Sequence, residues 1–553
     1  MMRWACVRYL IGVGFLVLQA TIGLASESIQ VQAVPLLDHL GDHHYPITTS
    51  APLAQAYFNQ GLMWTYGFNH AEAARSFQEA QQQDPACAMC FWGEAYVLGP
   101  NINVPMDPHV MPQAYQAIQQ ALDRAERVTE RERALIRALS KRYASNGSSE
   151  RSALDEAYAQ AMREVRTHYP TDSVIGALLA ESLMDLHPWD FWTKEGEARP
   201  WTPEIVAILE DILAKDSNNP LAHHLYIHAM EASSHPEKAI SSAELLPALV
   251  PGSGHLVHMP AHIWIRIGRY HDAAVANQRA VNVDGQYLHQ PHAESLYTAA
   301  YVPHNFHFLW ASAIKTGQSR LALQAAQGTA ANVSLEGMRD PGFAGTLQHF
   351  WLIPLYTHAL FGHWMEILEW AEPPADLIYP RGIWRYARGL AFLRKGQLEE
   401  ATSQLNQLKL IAEDPAIGSL TIFDVNGVGQ VLRIAEAILE GEIEAMRGDY
   451  EPALGHLRKA VQLEEELRYT EPKDWYLPPR QVLGAVLLQA GQPVEAERVY
   501  REDLQAHPQN GWSLLGLAQS LRAQNKEREA SIVQQNFERA WSEADVTLAA
   551  SRF

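Results

Sequence analysis

The sequence is poor in cysteine, in basic residues and, beyond its first residues, in long apolar runs, and each shortage excludes a class of protein. Three cysteines in 553 residues cannot staple a disulfide scaffold of this size. Lys and Arg number 43 against 63 Asp and Glu, a formal charge of −20. A surface that acidic repels phosphate backbones and anionic lipid, so nucleic acid is not an expected partner. No segment after the amino terminus is long and apolar enough to cross a bilayer, so no stable membrane insertion is expected. A nucleophile elbow, a P-loop and a dinucleotide fingerprint are all missing, Gly427-Val428-Gly429 being too short to count, and no nucleotide cofactor is expected. Cys87-Ala88-Met89-Cys90 is followed by Phe91 where covalent haem attachment needs histidine, which excludes haem. In an oxidising compartment Cys87 and Cys90 are expected to form a local disulfide, with a metal-binding or redox pair as the alternative.

Such a compartment is what the amino terminus predicts. Arg3 and Arg8 precede the apolar run Tyr9 to Leu18, and Gly23-Leu24-Ala25 places small residues where a signal peptidase cleaves. Residues 1–25 therefore read as a signal peptide, and the mature chain as periplasmic or extracellular. The apolar stretch is short for a membrane anchor, and no cysteine follows the small residues as a lipoprotein requires.

What the chain does have is repetition. Gly491-Gln492-Pro493-Val494-Glu495-Ala496 recurs as Asn525-Lys526-Glu527-Arg528-Glu529-Ala530, a 34-residue period. Between them Trp512-Ser513-Leu514-Leu515-Gly516 matches the W-x2-L-G opening of a tetratricopeptide repeat, and His507-Pro508 supplies the proline that closes the preceding unit. Similar turn-and-helix openings lie at Gly448 to Ala453, Gly396 to Ala401 and Gly268 to Ala274. Another runs from Gly67-Phe68-Asn69-His70 through Ala74 to Phe77, Ala80 and Asp84-Pro85. The chain thus resembles the tetratricopeptide repeat (TPR) family. Phe58 to Asn103 is similar to the opening of a bacterial family of exported TPR proteins, a resemblance that implies fold and export but supplies no activity.

Paired helices of this kind bury their apolar faces only by stacking on neighbours. The expected fold is all-α, a solenoid of tetratricopeptide-like helical hairpins wound as a right-handed superhelix with a concave face. Three regions are expected: an N-terminal TPR-like region over 26–169, a divergent central region over 170–372 and a C-terminal TPR array over 373–553. An aromatic loop from His187-Pro188-Trp189-Asp190-Phe191-Trp192 to Pro200-Trp201 is expected to pack over a solenoid face, with a pocket lid as the alternative. Arg381, Arg385 and Arg388 stand at helical spacing and are expected to pair with carboxylates.

The composition is least even in histidine: of 24 in the chain, 12 fall between His223 and His307. His224, His228 and Glu231 are spaced i, i+4, i+7 and share one face of a helix. Two imidazoles one turn apart can hold a divalent cation, and a carboxylate a turn further on can complete the shell or orient a ligand's outer nitrogen. The His-Glu-x-x-His order of zincins is absent, so no metalloprotease is implied. His255, His258 and His262 share a face if their helix runs through Pro260; if a helix starts at Pro260, His255 and His258 lie on the preceding loop. His304 and His307 are one turn apart and offer a third group.

Histidine with carboxylate suits zinc, copper or iron. The bland alternative is that these histidines only line helix interfaces. Three functions follow. One is a scaffold binding a protein or peptide on its concave face, with a metal or small polar ligand in its middle. Another is a metalloenzyme, hydrolytic or oxidative, built on the central histidines. The last is an assembly protein whose histidines only pack helices.

Overall fold

The computed structural model describes residues 34–145, 150–289, 295–331 and 333–553. The signal-peptide segment lies outside the described residues.

Apolar residues at helical spacing pair the segments into antiparallel hairpins: Pro52–Tyr66 with His70–Gln83, Val302–Lys315 with Ser319–Ala330, Ile378–Arg394 with Leu398–Ala412 and Val428–Arg447 with Tyr450–Glu465. Pro479–Gln489 with Pro493–Ala506 and Gly511–Ala523 with Glu527–Ala540 complete the carboxyl-terminal array. Each hairpin packs on the next. Among the described residues the strands are one two-residue ribbon, Thr421–Ile422 against Asn426–Gly427. The fold is an all-α solenoid of tetratricopeptide-like hairpins.

Small residues set how closely the helices approach. A Cβ on Gly516, the glycine of the W-x2-L-G signature, would stand 2.1 Å from the Tyr500 ring. The hairpin turns share a second device, a residue in the left-handed region two positions before the returning helix. Gly268, Gly317, Gly362, Gly396, Gly448 and Gly491 fill that place, and Asn525 does so in the last hairpin. In the first hairpin the residue is Phe68, with φ 57°. A bulky side chain pays about 1–2 kcal/mol for that conformation, where glycine pays nothing.

Leu36–Phe553 forms one compact unit. Its buried apolar residues fall into two cores, one from Leu40 to Phe308 and one from Ala274 to Ala530, which meet around the helices Tyr270–Tyr287 and Val302–Lys315. Cys87 and Cys90 are joined as a disulfide at the start of the Ala88–Val97 helix. Arg381 and Arg385 both reach Glu372, at 3.2 and 2.8 Å, and Arg388 donates to the Leu368 carbonyl. No described helix is long and apolar enough to cross a membrane.

Candidate metal centre

Three helices carry the histidines. Pro220–Glu231 begins on Asn219, whose side chain accepts from the Ala222 amide, with proline at the first helical position. His223 turns aside to Ser242 Oγ (2.9 Å) and the Ser217 carbonyl (2.8 Å), while His224, His228 and Glu231 are buried. The second element is Gly254–His258 followed by Pro260–Arg266. Met259 between them is right-handed helical (φ −48°, ψ −35°), so the chain keeps its direction through Pro260 at the loss of one backbone bond. His255 and His258 are therefore helical, and with His262 they face the same space.

The third helix, Val302–Lys315, follows a π-helical turn, Tyr297–Tyr301, a local irregularity that recurs at functional sites. Tyr297 ties this turn to the cluster: its hydroxyl accepts from the His255 amide (3.0 Å) and donates to Asp284 (2.8 Å). From this helix His304 joins the cluster and His307 does not. The His307 ring stacks on Trp310 and meets His349 edge-on, at 5.3 and 5.6 Å between centroids.

The donors form overlapping groups. His224, His228 and His255 make one, His258, His262 and His304 a second, and His228, Glu231 and His262 a third; within each, one donor atom per residue lies within 4.8 Å of the others. The outer nitrogens show how to read them. His228 Nδ1 donates to Glu231 Oε1 at 2.7 Å and His262 Nδ1 to Glu231 Oε2 at 2.5 Å. His258 Nδ1 meets Asn277 Oδ1 at 2.8 Å, an oxygen whose direction is fixed because the Asn277 amide donates to Ala273 O. All three Nδ1 atoms are donors, so each ring is set with its Nε2 inward.

His228 Nε2 is buried with no partner, and His258 Nε2 and His262 Nε2 stand 2.9 Å apart. In the first set His224 Nε2 and His255 Nε2 are 3.1 Å apart. Three nitrogens at bonding distance from one tetrahedral ion would be separated by about 3.3 Å. Glu231, with both oxygens spent on outer nitrogens, is a carboxylate that orients one imidazole of each three-histidine set. It matches the outer partner that ligating histidines commonly have.

Electrostatics agree with this division. Burial holds His224, His255, His258 and His304 well below the usual imidazole range, and neighbouring imidazoles add to the effect. His262 is the exception: burial opposes its charge, but Glu231 and then Glu471 outweigh it and raise the group to about 9. Glu231, for all its burial, is kept charged by His262 and His228. His258 Nε2 and His262 Nε2 share a hydrogen bond across this space.

Aromatic rings close the walls. Phe68 lies 4.5 Å from His224 and 5.5 Å from His255, so its left-handed turn delivers the ring to the first set. Phe308 packs on His258, His262 and His304 at 4.4–4.7 Å. From the aromatic loop, Trp189, itself at φ 58°, meets His228 edge-on at 5.2 Å, and Trp192 Nε1 donates to Ala229 O. The loop packs over the histidine helix.

Sequence reasoning missed Phe68, Asn277, Tyr469 and Glu471. Tyr469 donates to Glu471 Oε2 at 2.6 Å and approaches Glu231 Oε2 at 3.3 Å, and Glu471 lies 3.7 Å from His262. Only Phe68 left a signal: it holds the turn position that glycine holds elsewhere.

No protein-family model and no curated protein matches the chain. Among solved structures it is similar to the human IFIT1 dimer with m7Gppp-AAAA, at TM-score 0.30 and 11% identity over 89% of this chain and 90% of that one. It is also similar to the APC/C hetero-tetramer Cut9–Hcn1 (0.29, 12%, 90% and 78%) and to yeast Tom70 (0.28, 11%, 87% and 89%). Likenesses this loose carry no argument about function, and the fold assignment stands on the stacked hairpins.

Proposed function

We propose that this chain is a metalloprotein in which a tetratricopeptide-like solenoid frames a buried histidine metal centre, and that its activity belongs to that centre. The observation that carries this is the convergence of buried histidines into two three-histidine sets, with His228, His258 and His262 each fixed by an acceptor on its outer nitrogen. A packing role needs no such commitment, and a face for a protein or peptide would present groups that here are hidden. His224, His228, His255, His258 and His262 are each 2% exposed or less.

Three-nitrogen sets leave coordination positions open, which permits activation of water or dioxygen, whereas a filled shell would only pin helices. Export belongs to the same proposal and is supported by the basic and apolar residues that open the sequence together with the joined Cys87 and Cys90. The test is metal analysis of the chain purified without an affinity tag. Stoichiometric zinc, copper or iron, lost in His228→Ala with helicity retained, is the expected result. No bound metal, with melting unchanged by chelators, would return the chain to the scaffold reading.

A further inference from the structure

Resting on the metal reading, we propose that the centre takes a pair of copper ions, one in the set His224, His228 and His255 and one in the set His258, His262 and His304, and that the reduced pair binds dioxygen. The two sets adjoin. His228 and His262 lie 5.2 Å apart between ring centroids, and His255 and His258 5.5 Å. They also share one carboxylate, since Glu231 holds one imidazole from each. A single ion would need only one set, and a carboxylate placed to serve both is accounted for by a two-ion site.

The donor chemistry selects the metal. All six ligands of the two sets are histidines, and both Glu231 oxygens are engaged by outer imidazole nitrogens. The carboxylates that touch the rings are Glu231 and Glu471. Two divalent ions would bring four positive charges into an aromatic-walled space against those two acids, and charge buried without a partner is costly. Two cuprous ions bring two. Imidazole suits copper.

The walls select the ligand. Phe68, Phe308 and Trp189 line the cluster, and His304 is its one half-buried ligand, so a small uncharged molecule reaches it more readily than an anion or a large substrate. Each cuprous ion gives up one electron, and dioxygen takes both, bound between two cupric ions at the level of peroxide. No proton, external reductant or leaving group enters that step.

The experiment is an anaerobic titration of the metal-free full chain with cuprous copper, followed by admission of dioxygen. Expected are two copper per chain, uptake of one dioxygen per two copper, a charge-transfer absorption absent from the zinc-loaded chain, and little cupric EPR signal because the two spins couple. His304→Ala and His224→Ala, with circular dichroism unchanged, should each halve the copper and abolish the oxygen response. Because His224 is fully buried, His304→Ala, at the rim, keeps the test available if the other variant fails to fold. One copper per chain, or two that are indifferent to dioxygen, overturns this inference and leaves the metal reading standing; no retained metal of any kind overturns both.

Discussion

Replacing Glu231 with glutamine keeps the size of the side chain and removes what this account requires of it. The carboxylate accepts from His228 Nδ1 at 2.7 Å and His262 Nδ1 at 2.5 Å. An amide has one oxygen and one NH2, so Glu231→Gln can accept from one imidazole but must donate to the other. That second ring is driven to the tautomer with hydrogen on Nε2, which cannot ligate. Two charge-assisted bonds at about 1.5–3 kcal/mol each become neutral ones at about 0.5–1.5 kcal/mol, a loss of about 2–3 kcal/mol in the metal-free chain. For a unit of this size about 1 kcal/mol corresponds to about 1 °C, so melting should fall by about 2–3 °C. The larger effect is on metal, where one three-histidine set should lose its ion and the other keep it. Calorimetry of the metal-free protein and metal analysis of the loaded protein read the two effects separately. Full metal content with unchanged melting would refute the orienting role of Glu231.

Asp474 is buried, its carboxyl is pushed up to about 7 by that burial, and it accepts from Asn426 Nδ2 at 2.8 Å. A carboxyl that titrates near 3.9 when unfolded and higher when folded binds its proton more tightly in the native state, so stability is full at low pH and falls as pH rises from about 4 to 7, by at most about 4 kcal/mol. Asp474→Asn should gain on the parent across that interval in urea unfolding, and a difference independent of pH would contradict the assignment. At position 68, Phe68→Ala should lose about 3–5 kcal/mol of packing, and Phe68→Gly should be about 1 kcal/mol less damaging because it accepts the left-handed turn; equal losses in denaturant titration would remove the strain argument. Gly516→Ala, whose Cβ would stand 2.1 Å from the Tyr500 ring, should cost about 1–3 kcal/mol by overpacking, and an unaltered unfolding midpoint would show that the helices are not in this contact.

The sequence was most legible where the repeat is closest to its consensus. Trp512 to Gly516 and the 34-residue interval from Ala496 to Ala530 place the last hairpins correctly, because close packing of identical units forces the same small residues to recur. The histidine helices were legible for a related reason: i, i+4 spacing on one helix is a local geometric fact, and His224 with His228 needed no tertiary knowledge. What spacing could not decide was whether Pro260 stopped its helix, which depended on the conformation of Met259, or that His307 would turn toward His349 while His304 turned toward His258. Least legible were the partners that give the cluster its chemistry. Asn277, Tyr469 and Glu471 come from other helices and from a loop more than two hundred residues away, and no periodicity announces a contact between distant segments. Phe68 left a partial signal, its place in the turn: Gly67 beside it reads as the turn residue, but the structure gives the left-handed conformation to Phe68.

The most direct measurement is anomalous X-ray scattering from crystals of the metal-loaded chain, collected on both sides of the metal's absorption edge. The account predicts density at about 2.0–2.1 Å from the ring nitrogens of a three-histidine set, His224, His228 and His255 or His258, His262 and His304, with the outer nitrogens still bound to Glu231 and Asn277. Flat anomalous density there, with His258 and His262 still hydrogen-bonded to each other, would contradict it.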